Sequence, residues 1–202
     1  MEREAAVISL GLLEGQDLRI LADKHGITVW KGDKKNKGWA GHVIERHLGL
    51  PLNSSQSPNF GSWELKIVPL KSNGSGKIVV KETMAITMID PVNVLLKPFE
   101  ESHLLAKLKK AVICARMFES IHEHRTLLIK VATFDLGNAE IYKQVREDYE
   151  LVRKTIKTKG FEALTGKMGV LVQPRTKGAG HGSTSRAFYA RTGFVAKILN
   201  LA

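Results

Sequence analysis

Hydrophobic and polar residues alternate along this chain with two periods, and the pattern predicts a mixture of helices and strands. Apolar residues recur at helical spacing in four stretches: residues 1–26, 38–48, 101–110 and 139–158. Strand-like alternation or short apolar runs occupy five others: residues 63–69, 78–89, 111–118, 126–134 and 169–173. The stretch 187–199 predicts a strand followed by a helix. This order of elements favours an α+β fold with a mixed or antiparallel sheet.

Glycine, proline and polar runs mark the boundaries between these elements. Gly26 is a candidate C-cap for the first helical stretch, and Gly49 with Pro51 ends the second. The sequence SNGSG at 72–76 predicts a hairpin turn, and KGDKKNK at 31–37 predicts a basic loop. No internal repeat or long linker divides the chain, so we expect a single domain over residues 1–202.

The strand predicted at 63–69 carries an acid and a lysine on one face. Because side chains alternate along a strand, Glu64 and Lys66 project from the same side about 7 Å apart. A carboxylate can bind Mg²⁺, and a lysine beside it can orient a water that attacks a phosphodiester. The spacing alone is weak, because a similar triplet, Asp33-Lys34-Lys35, occurs in the predicted basic loop. A solvent-exposed strand face is the alternative.

The charge of the chain favours a polyanionic partner. The formal net charge is +11, and no acidic residue follows Glu162, although several lysines and arginines do. Such an excess favours DNA, RNA or an anionic surface, while a basic surface kept for solubility is the alternative. The single cysteine, Cys114, excludes an intramolecular disulfide and a multi-cysteine zinc site. We find no P-loop, no HExxH and no serine nucleophile motif, and no apolar run long enough to span a membrane, so a cytoplasmic protein is expected.

Five segments in order resemble one family of DNA-cutting enzymes. The run KGWAGHVIERHLG, followed after the polar stretch by WELKIVP, resembles the MutH family of mismatch-repair nicking endonucleases and the related type II restriction enzymes that cut GATC. The segments EESHLLAKLKKAV, EIYKQVREDYELVRKTIKTKG, GVLVQPRTKG and AFYARTGFVAKIL continue the likeness, which covers about residues 14–200. Each motif is loose by itself, but five at compatible spacing are specific.

The resemblance implies a fold and a set of catalytic residues. It implies a restriction-endonuclease-like core, a mixed sheet flanked by helices, in two lobes with a DNA cleft between them. The catalytic lobe would span mainly about residues 27–110, and a C-terminal segment of about 163–202 would contact the bases. The implied metal ligands for Mg²⁺, or Mn²⁺ in its place, are Glu45, Asn59 and Glu64, with Lys66 as the catalytic lysine and Lys107 as a further active-site lysine.

The resemblance also implies DNA-contacting residues in the basic C-terminal segment. Arg175 and Lys177 match a DNA-reading loop, and Tyr189 falls where the family recognises a base and its methylation. Arg186 and Arg191 flank that tyrosine and are further DNA-binding candidates. The implied reaction on double-stranded DNA leaves a 5′-phosphate and a 3′-hydroxyl. A MutL-type partner is implied by the repair branch, and a monomer or weak dimer on DNA is expected.

Asn59 departs from the family pattern, which has an aspartate there. The spacing from Asn59 to Lys66 matches related restriction enzymes that cut CCWGG and CCSGG, which leaves the target sequence open between GATC, CCWGG-like and other sites. An amide removes one charge from the site, so cation binding and cleavage should fall while DNA affinity persists. The chain is then either an inactivated form of a nuclease or a natural relative that binds DNA without cutting it. Repair and restriction roles, and methylation dependence, stay open.

Overall fold

The structure is a computed structural model that describes residues 1–49, 61–178 and 184–201. Its helices and strands follow the chain in this order: α1 (Arg3–Gly11), α2 (Leu18–Lys24), β1 (Trp30–Lys31), β2 (Lys34–Lys35), α3 (Trp39–His47), β3 (Glu64–Ser72), β4 (Ile78–Val80), β5 (Met84–Met88), α4 (Pro91–Leu96), α5 (His103–Leu108), β6 (Lys110–Met117), β7 (Leu128–Asp135), α6 (Ala139–Lys159), β8 (Val172–Thr176), β9 (Arg186–Ala190) and α7 (Thr192–Ile198). Among the helices of these ranges, none is long and apolar enough to cross a membrane.

Two sheets form the framework of the molecule. The first has the order β4-β3-β6-β7 and is mixed, because β3 and β6 are parallel while the other neighbours are antiparallel. The second is antiparallel, with the order β5-β9-β8, and β1 and β2 form a small separate hairpin. The predicted α+β class with a mixed sheet is therefore confirmed.

The four-stranded sheet is covered by apolar residues on both faces. One face packs with α1, α2 and α3 through residues such as Leu10, Leu18, Trp39, Ile44 and Leu65. The other packs with α5, α6, α7 and the second sheet through residues such as Val68, Ile113, Tyr149, Phe188 and Val195. Strand β3 is thus buried on both faces, because helices lie on either side of it, and the solvent-exposed strand face that the sequence left open as an alternative is not found.

Several predicted elements are confirmed with shifts of a few residues. Helices α3, α5 and α6 and strands β3, β6 and β7 lie within or close to the stretches predicted for them, and β9 followed by α7 matches the predicted strand and helix. Each of these stretches has a run of apolar residues that the neighbouring helices or sheets bury.

Other predictions were wrong in part. The stretch 1–26 is two helices rather than one, since Gly15 adopts φ +82° and Asp17 accepts a hydrogen bond from the backbone N–H of Arg19 to begin α2. The stretch 78–89 is also divided: β4 pairs with β3, whereas β5 joins β9 in the second sheet. Helix α4, which begins with Pro91 after the N-cap Asp90, was not predicted.

Candidate active site

The amino-terminal end of β3 brings one buried carboxylate together with two lysines. Glu64 is 1% exposed and lies beside Ala111 of the parallel strand β6. Its Oε1 is 2.7 Å from Nζ of Lys66 and 3.3 Å from Nζ of Lys107. The structure therefore brings together three of the residues that the sequence singled out, and Glu64 and Lys66 share a face as the alternation required.

Helix α5 places Lys107 at this carboxylate. The Ser102 hydroxyl accepts a hydrogen bond from the Leu105 N–H, which caps the helix, and Leu104 and Leu108 are buried in the core. Lys107 lies on the same side of the short helix and is only 9% exposed. Its ammonium group meets the carboxylate of Glu64, which gives this largely buried charge a partner of opposite sign.

The pKa of Lys66 is lowered from its ordinary value by its surroundings in this cluster. Burial lowers the pKa of its ammonium group, the charge and hydrogen bond of Glu64 oppose that effect, and the positive charges of Lys107 and Lys177 lower it further. Lys66 also donates to the backbone carbonyl of Ile86 on β5, at 3.3 Å. A lysine with a lowered pKa exchanges its proton more readily near neutral pH than an exposed lysine does.

A cavity of about 250 Å³ opens along β3 and joins this cluster to helix α3. We call it the β3 cavity; its polar lining includes Lys37, Glu45, Lys66, Glu82 and Arg116. Glu45 projects into it from α3, whose Trp39, Val43 and Ile44 are buried against the sheet. The predicted ligand Glu45 and the predicted catalytic lysine Lys66 thus face one space. Asn59 lies outside the described residues.

A second cavity, of about 460 Å³, adjoins the first and reaches the C-terminal segment. We call it the β8 cavity; it shares Lys37, Ile67, Pro69 and Glu82 with the β3 cavity and adds Thr83, Arg175, Thr176 and Tyr189. Arg175 donates to the Thr83 hydroxyl at 2.8 Å, and its guanidinium carbon is 5.8 Å from the centre of the Tyr189 ring. Lys177 is exposed at the end of β8. The two neighbouring cavities therefore share part of their lining, and together these linings reach from Glu45 to Tyr189.

The other two arginines of the predicted DNA-binding set have internal partners. Arg186 is 9% exposed, donates to the backbone carbonyl and the carboxylate of Glu162 and to the Thr176 hydroxyl, and lies over the Phe161 ring. Arg191 donates to the backbone carbonyls of Gly166, Met168 and Gly169. These contacts hold the chain around β8 and β9, so the two arginines have a structural task that the basic composition of the segment did not indicate.

The cavities also contain residues that the sequence did not single out. Lys37 and Glu82 line both cavities, and Arg116 lines the β3 cavity. Lys37 lies two residues before the first residue of the helix that carries Glu45, which is a local signal for its position. Arg116 carried no comparable signal, because it reaches the cavity through the pairing of β6 with β3, which are distant in sequence. Glu82 lies in the short connection between β4 and β5, and no motif indicated it.

The donors at this site fit a hard divalent cation. Carboxylate oxygens such as those of Glu45 and Glu64 are the ligands that Mg²⁺ prefers. The negative charge of the buried Glu64 is compensated by the ammonium groups of Lys66 and Lys107, whose place a bound cation could take. Within the described ranges no group of three or more histidine, cysteine, aspartate or glutamate side chains could hold a metal ion. The described part of the site offers Glu45 and Glu64 as the candidate ligands that the sequence named, and Glu82 is a further carboxylate in the lining of the β3 cavity.

Comparison with known proteins shows the family of the chain. Curated DNA mismatch repair proteins MutH are 26% identical over 94% of this chain in a Shewanella species, 27% over 98% in Vibrio parahaemolyticus and 28% over 89% in Haemophilus influenzae. The alignments cover 90%, 91% and 86% of those relatives. Among solved structures, a complex of the restriction endonuclease MvaI with its cognate DNA superposes with a TM-score of 0.40 at 10% identity, over 98% of this chain and 97% of that one. The family model described as DNA mismatch repair enzyme MutH matches residues 48–154, more than half of the 202 residues, and the chain therefore belongs to the MutH family of DNA mismatch repair enzymes, the endonuclease family that its motifs resemble.

Proposed function

We propose that this chain is a Mg²⁺-dependent, sequence-specific endonuclease of double-stranded DNA whose cleavage step is weakened by Asn59. The observation that carries the proposal is the cluster of Glu64, Lys66 and Lys107 beside a cavity that Glu45 also lines, in a chain of the MutH family. Buried carboxylates paired with lysines at a polar cavity are suited to phosphodiester hydrolysis.

Each side chain has a definite task in this proposal. Glu45, Glu64 and the residue at position 59 would hold the cation, which would polarise a phosphoryl oxygen and activate a water as nucleophile. Lys66 orients the attacking water through Nζ, and its lowered pKa suits a group that takes part in proton exchange. Lys107 pairs with the carboxylate of Glu64 and adds positive charge near the phosphate that is attacked. The products are a 5′-phosphate and a 3′-hydroxyl.

The DNA-contacting part of the proposal is carried by the β8 cavity. Arg175, Lys177 and Tyr189 are the residues that meet bases and backbone, whereas Arg186 and Arg191 support them through their internal hydrogen bonds. Arginine suits bidentate contact with guanine, lysine suits phosphate, and a tyrosine ring suits a base edge or methyl group. A MutL-type partner belongs to the repair branch of the proposal.

The test is to restore the carboxylate at position 59. Asn59→Asp should raise Mg²⁺-dependent nicking of supercoiled plasmid by roughly a thousand-fold or more, because one ligand charge stabilises the cation and the transition state by several kcal/mol. Asn53→Asp adds the same charge six residues earlier in the chain and is the matched control; it should leave nicking at the parental rate.

A second function is favoured by the same residue. With an amide at position 59, the chain binds its target without cutting it, since repulsion between the site and a phosphate is smaller. Binding by the parent together with no nicking by either form, in Mg²⁺ or Mn²⁺, would support this alternative and remove the metal-ligand role from position 59. A parent chain that binds duplex DNA without any site preference would contradict both.

A further inference from the structure

Arg116 occupies a position in the β3 cavity that no sequence motif indicates. It lies on β6 opposite Pro69 of β3, and its side chain faces α3. The ladder between β6 and β7 shifts register between Ala115 and Arg116. Such irregularities often lie beside active sites, where they turn a side chain away from the direction that a regular strand would give it.

A fully buried carboxylate holds this arginine. Glu123 is 0% exposed, and it accepts hydrogen bonds from Arg116 Nη1 at 2.5 Å and from the Trp39 indole N–H at 2.8 Å, while Lys35 Nζ lies 2.6 Å from its Oε2. Burial by itself would raise the pKa of Glu123, but the hydrogen bonds from Lys35, Arg116 and Trp39 outweigh burial and lower it. Glu123 is therefore a charged group with three directed donors.

The backbone at Glu123 has an unfavourable conformation that these contacts stabilise. Its φ is +47°, in the left-handed region that residues with a side chain seldom adopt. Backbone strain of this kind is found where the surroundings over-determine a conformation, and it is concentrated at functional sites. The register shift and the strained backbone both act on one side chain, that of Arg116.

The guanidinium of Arg116 keeps access to the cavity. Its carbon lies 5.5 Å from the centre of the Trp39 ring, which covers one face, and its side chain is 11% exposed. Within the described ranges, no nitrogen of Arg116 is both buried and without a hydrogen-bond partner. Because Glu123 is shared by two cations, Arg116 and Lys35, the group retains an excess of positive charge next to the cavity.

We infer that Arg116 is a further DNA-binding residue, which contacts a backbone phosphate on the α3 side of the β3 cavity, and that Glu123 is its positioning residue. The inference rests on the proposed function, because the cavity must hold DNA. A planar guanidinium fixed on one nitrogen presents its remaining N–H groups in the fork that suits phosphate oxygens. The register of β6 with β3 separates Arg116 from Lys66 by three residues, about 10 Å along the strands, so the two meet different phosphates.

The first test measures binding without cleavage. A fluorescent random-sequence duplex is titrated with the protein in EDTA over a range of salt concentrations. Arg116→Met keeps the apolar stem against Trp39; it should weaken binding about ten-fold at low salt and reduce the magnitude of the log–log salt slope by about one. Arg125→Met removes an exposed arginine outside both cavities and should match the parent within about two-fold. If Arg116→Met does not fold, Arg116→Lys is used instead. The salt slope should then stay at the parental value because the charge is kept, and the affinity should fall because the planar guanidinium that binds a phosphate through two N–H groups is lost.

The second test predicts a change in DNA affinity whose direction is opposite to the one that the change of charge alone would produce. Glu123→Gln removes a negative charge, which by electrostatics alone strengthens DNA binding. If Glu123 positions Arg116, the variant binds several-fold more weakly, while Glu119→Gln, an exposed acid four residues away, binds equally or slightly better. Thermal unfolding of each variant confirms that it is folded.

A folded Arg116→Met with the parental affinity and slope overturns the inference and leaves the proposed function intact. A parent that binds no duplex at any salt concentration refutes the proposed function, and the inference with it.

Discussion

Two buried carboxylates, Glu64 and Asp148, show opposite ways of holding a negative charge inside this molecule. Glu64 is 1% exposed and meets the ammonium groups of Lys66 and Lys107. Asp148 is 3% exposed and accepts from the backbone N–H groups of three consecutive residues, Val170 to Val172, as well as from the Gln144 amide. The two lysine partners of Glu64 are side chains, one of which lines a cavity, whereas most partners of Asp148 are backbone groups.

The difference separates a site that can exchange partners from one that cannot. Lysine side chains can turn toward solvent or a phosphate, so a cation can take their place at Glu64. Backbone N–H groups have no alternative acceptor once buried, so Asp148 fixes the chain that leads into β8. Gly169 completes that turn: its φ is +74°, and a Cβ there would lie 1.9 Å from the carbonyl oxygen of Val172. Together with Arg191 on the carbonyl side, this turn gives β8 its register.

The largest expected effect is on stability at Asp148. Asp148→Ala removes the acceptor of three buried N–H groups and should lower the free energy of unfolding by about 3–5 kcal/mol. Urea denaturation followed by circular dichroism measures this. Glu147→Ala, at an exposed carboxylate 4.0 Å from Lys143, is the control and should change stability by less than about 0.5 kcal/mol. A loss at Asp148 as small as the control would contradict the proposed contrast.

A smaller loss of stability is expected at Glu64, with a larger effect on chemistry. In Glu64→Gln the amide oxygen still accepts from one lysine and the other reaches the cavity, so the free energy of unfolding should fall by less than about 2 kcal/mol. In the Asn59→Asp background the same change should reduce nicking by roughly a hundred-fold or more, because a metal-ligand charge is lost. Glu101→Gln, at an exposed acid before α5, is the matched control for both measurements. Equal losses of stability at Glu64 and Asp148 would remove the distinction between exchangeable and fixed partners.

The sequence was sufficient for the Glu64 cluster because its signals are local. Two side chains on one strand face follow from alternation, and Lys107 follows from the family likeness of one short helix. Asp148, Glu123 and Arg116 gave no such signal. The N–H groups held by Asp148 lie more than 20 residues ahead in the chain, and the indole that meets Glu123 is 84 residues away. Such contacts follow from tertiary packing, which local patterns do not encode.

The same reasoning explains which parts of the fold could be predicted. Helix α6 and strands β6 and β7 have continuous apolar stripes, and their existence and type followed from period alone. The partner of β5 did not, because Met84 pairs with Ala190 across more than 100 residues, and a hairpin with the preceding strand was the simpler expectation. That pairing brings the second sheet, with Arg175 and Tyr189, against the edge of β3, so the shape of the site depends on the least predictable contact.

The smallest expected effect is a pH dependence that comes from Lys66 in the Glu64 cluster and has no counterpart in the backbone amides that hold Asp148, since backbone amides do not titrate. Burial lowers the pKa of Lys66 below its ordinary value of 10.5, so at alkaline pH the folded state binds fewer protons than the unfolded state. The contribution of Lys66 to the free energy of unfolding therefore increases as the pH rises from the pKa of the folded state toward 10.5. It is lost when the pH falls through the pKa of the folded state. The free energy of unfolding of the parent, relative to Lys66→Met, should increase as the pH of the chemical denaturation series is raised toward 10.5. Lys71→Met removes an exposed lysine near the far end of the same strand and controls for the loss of one positive charge. A difference that stays level or decreases over this range would mean that Lys66 is solvated like a surface lysine, and its proton would then have no special role at the cavity.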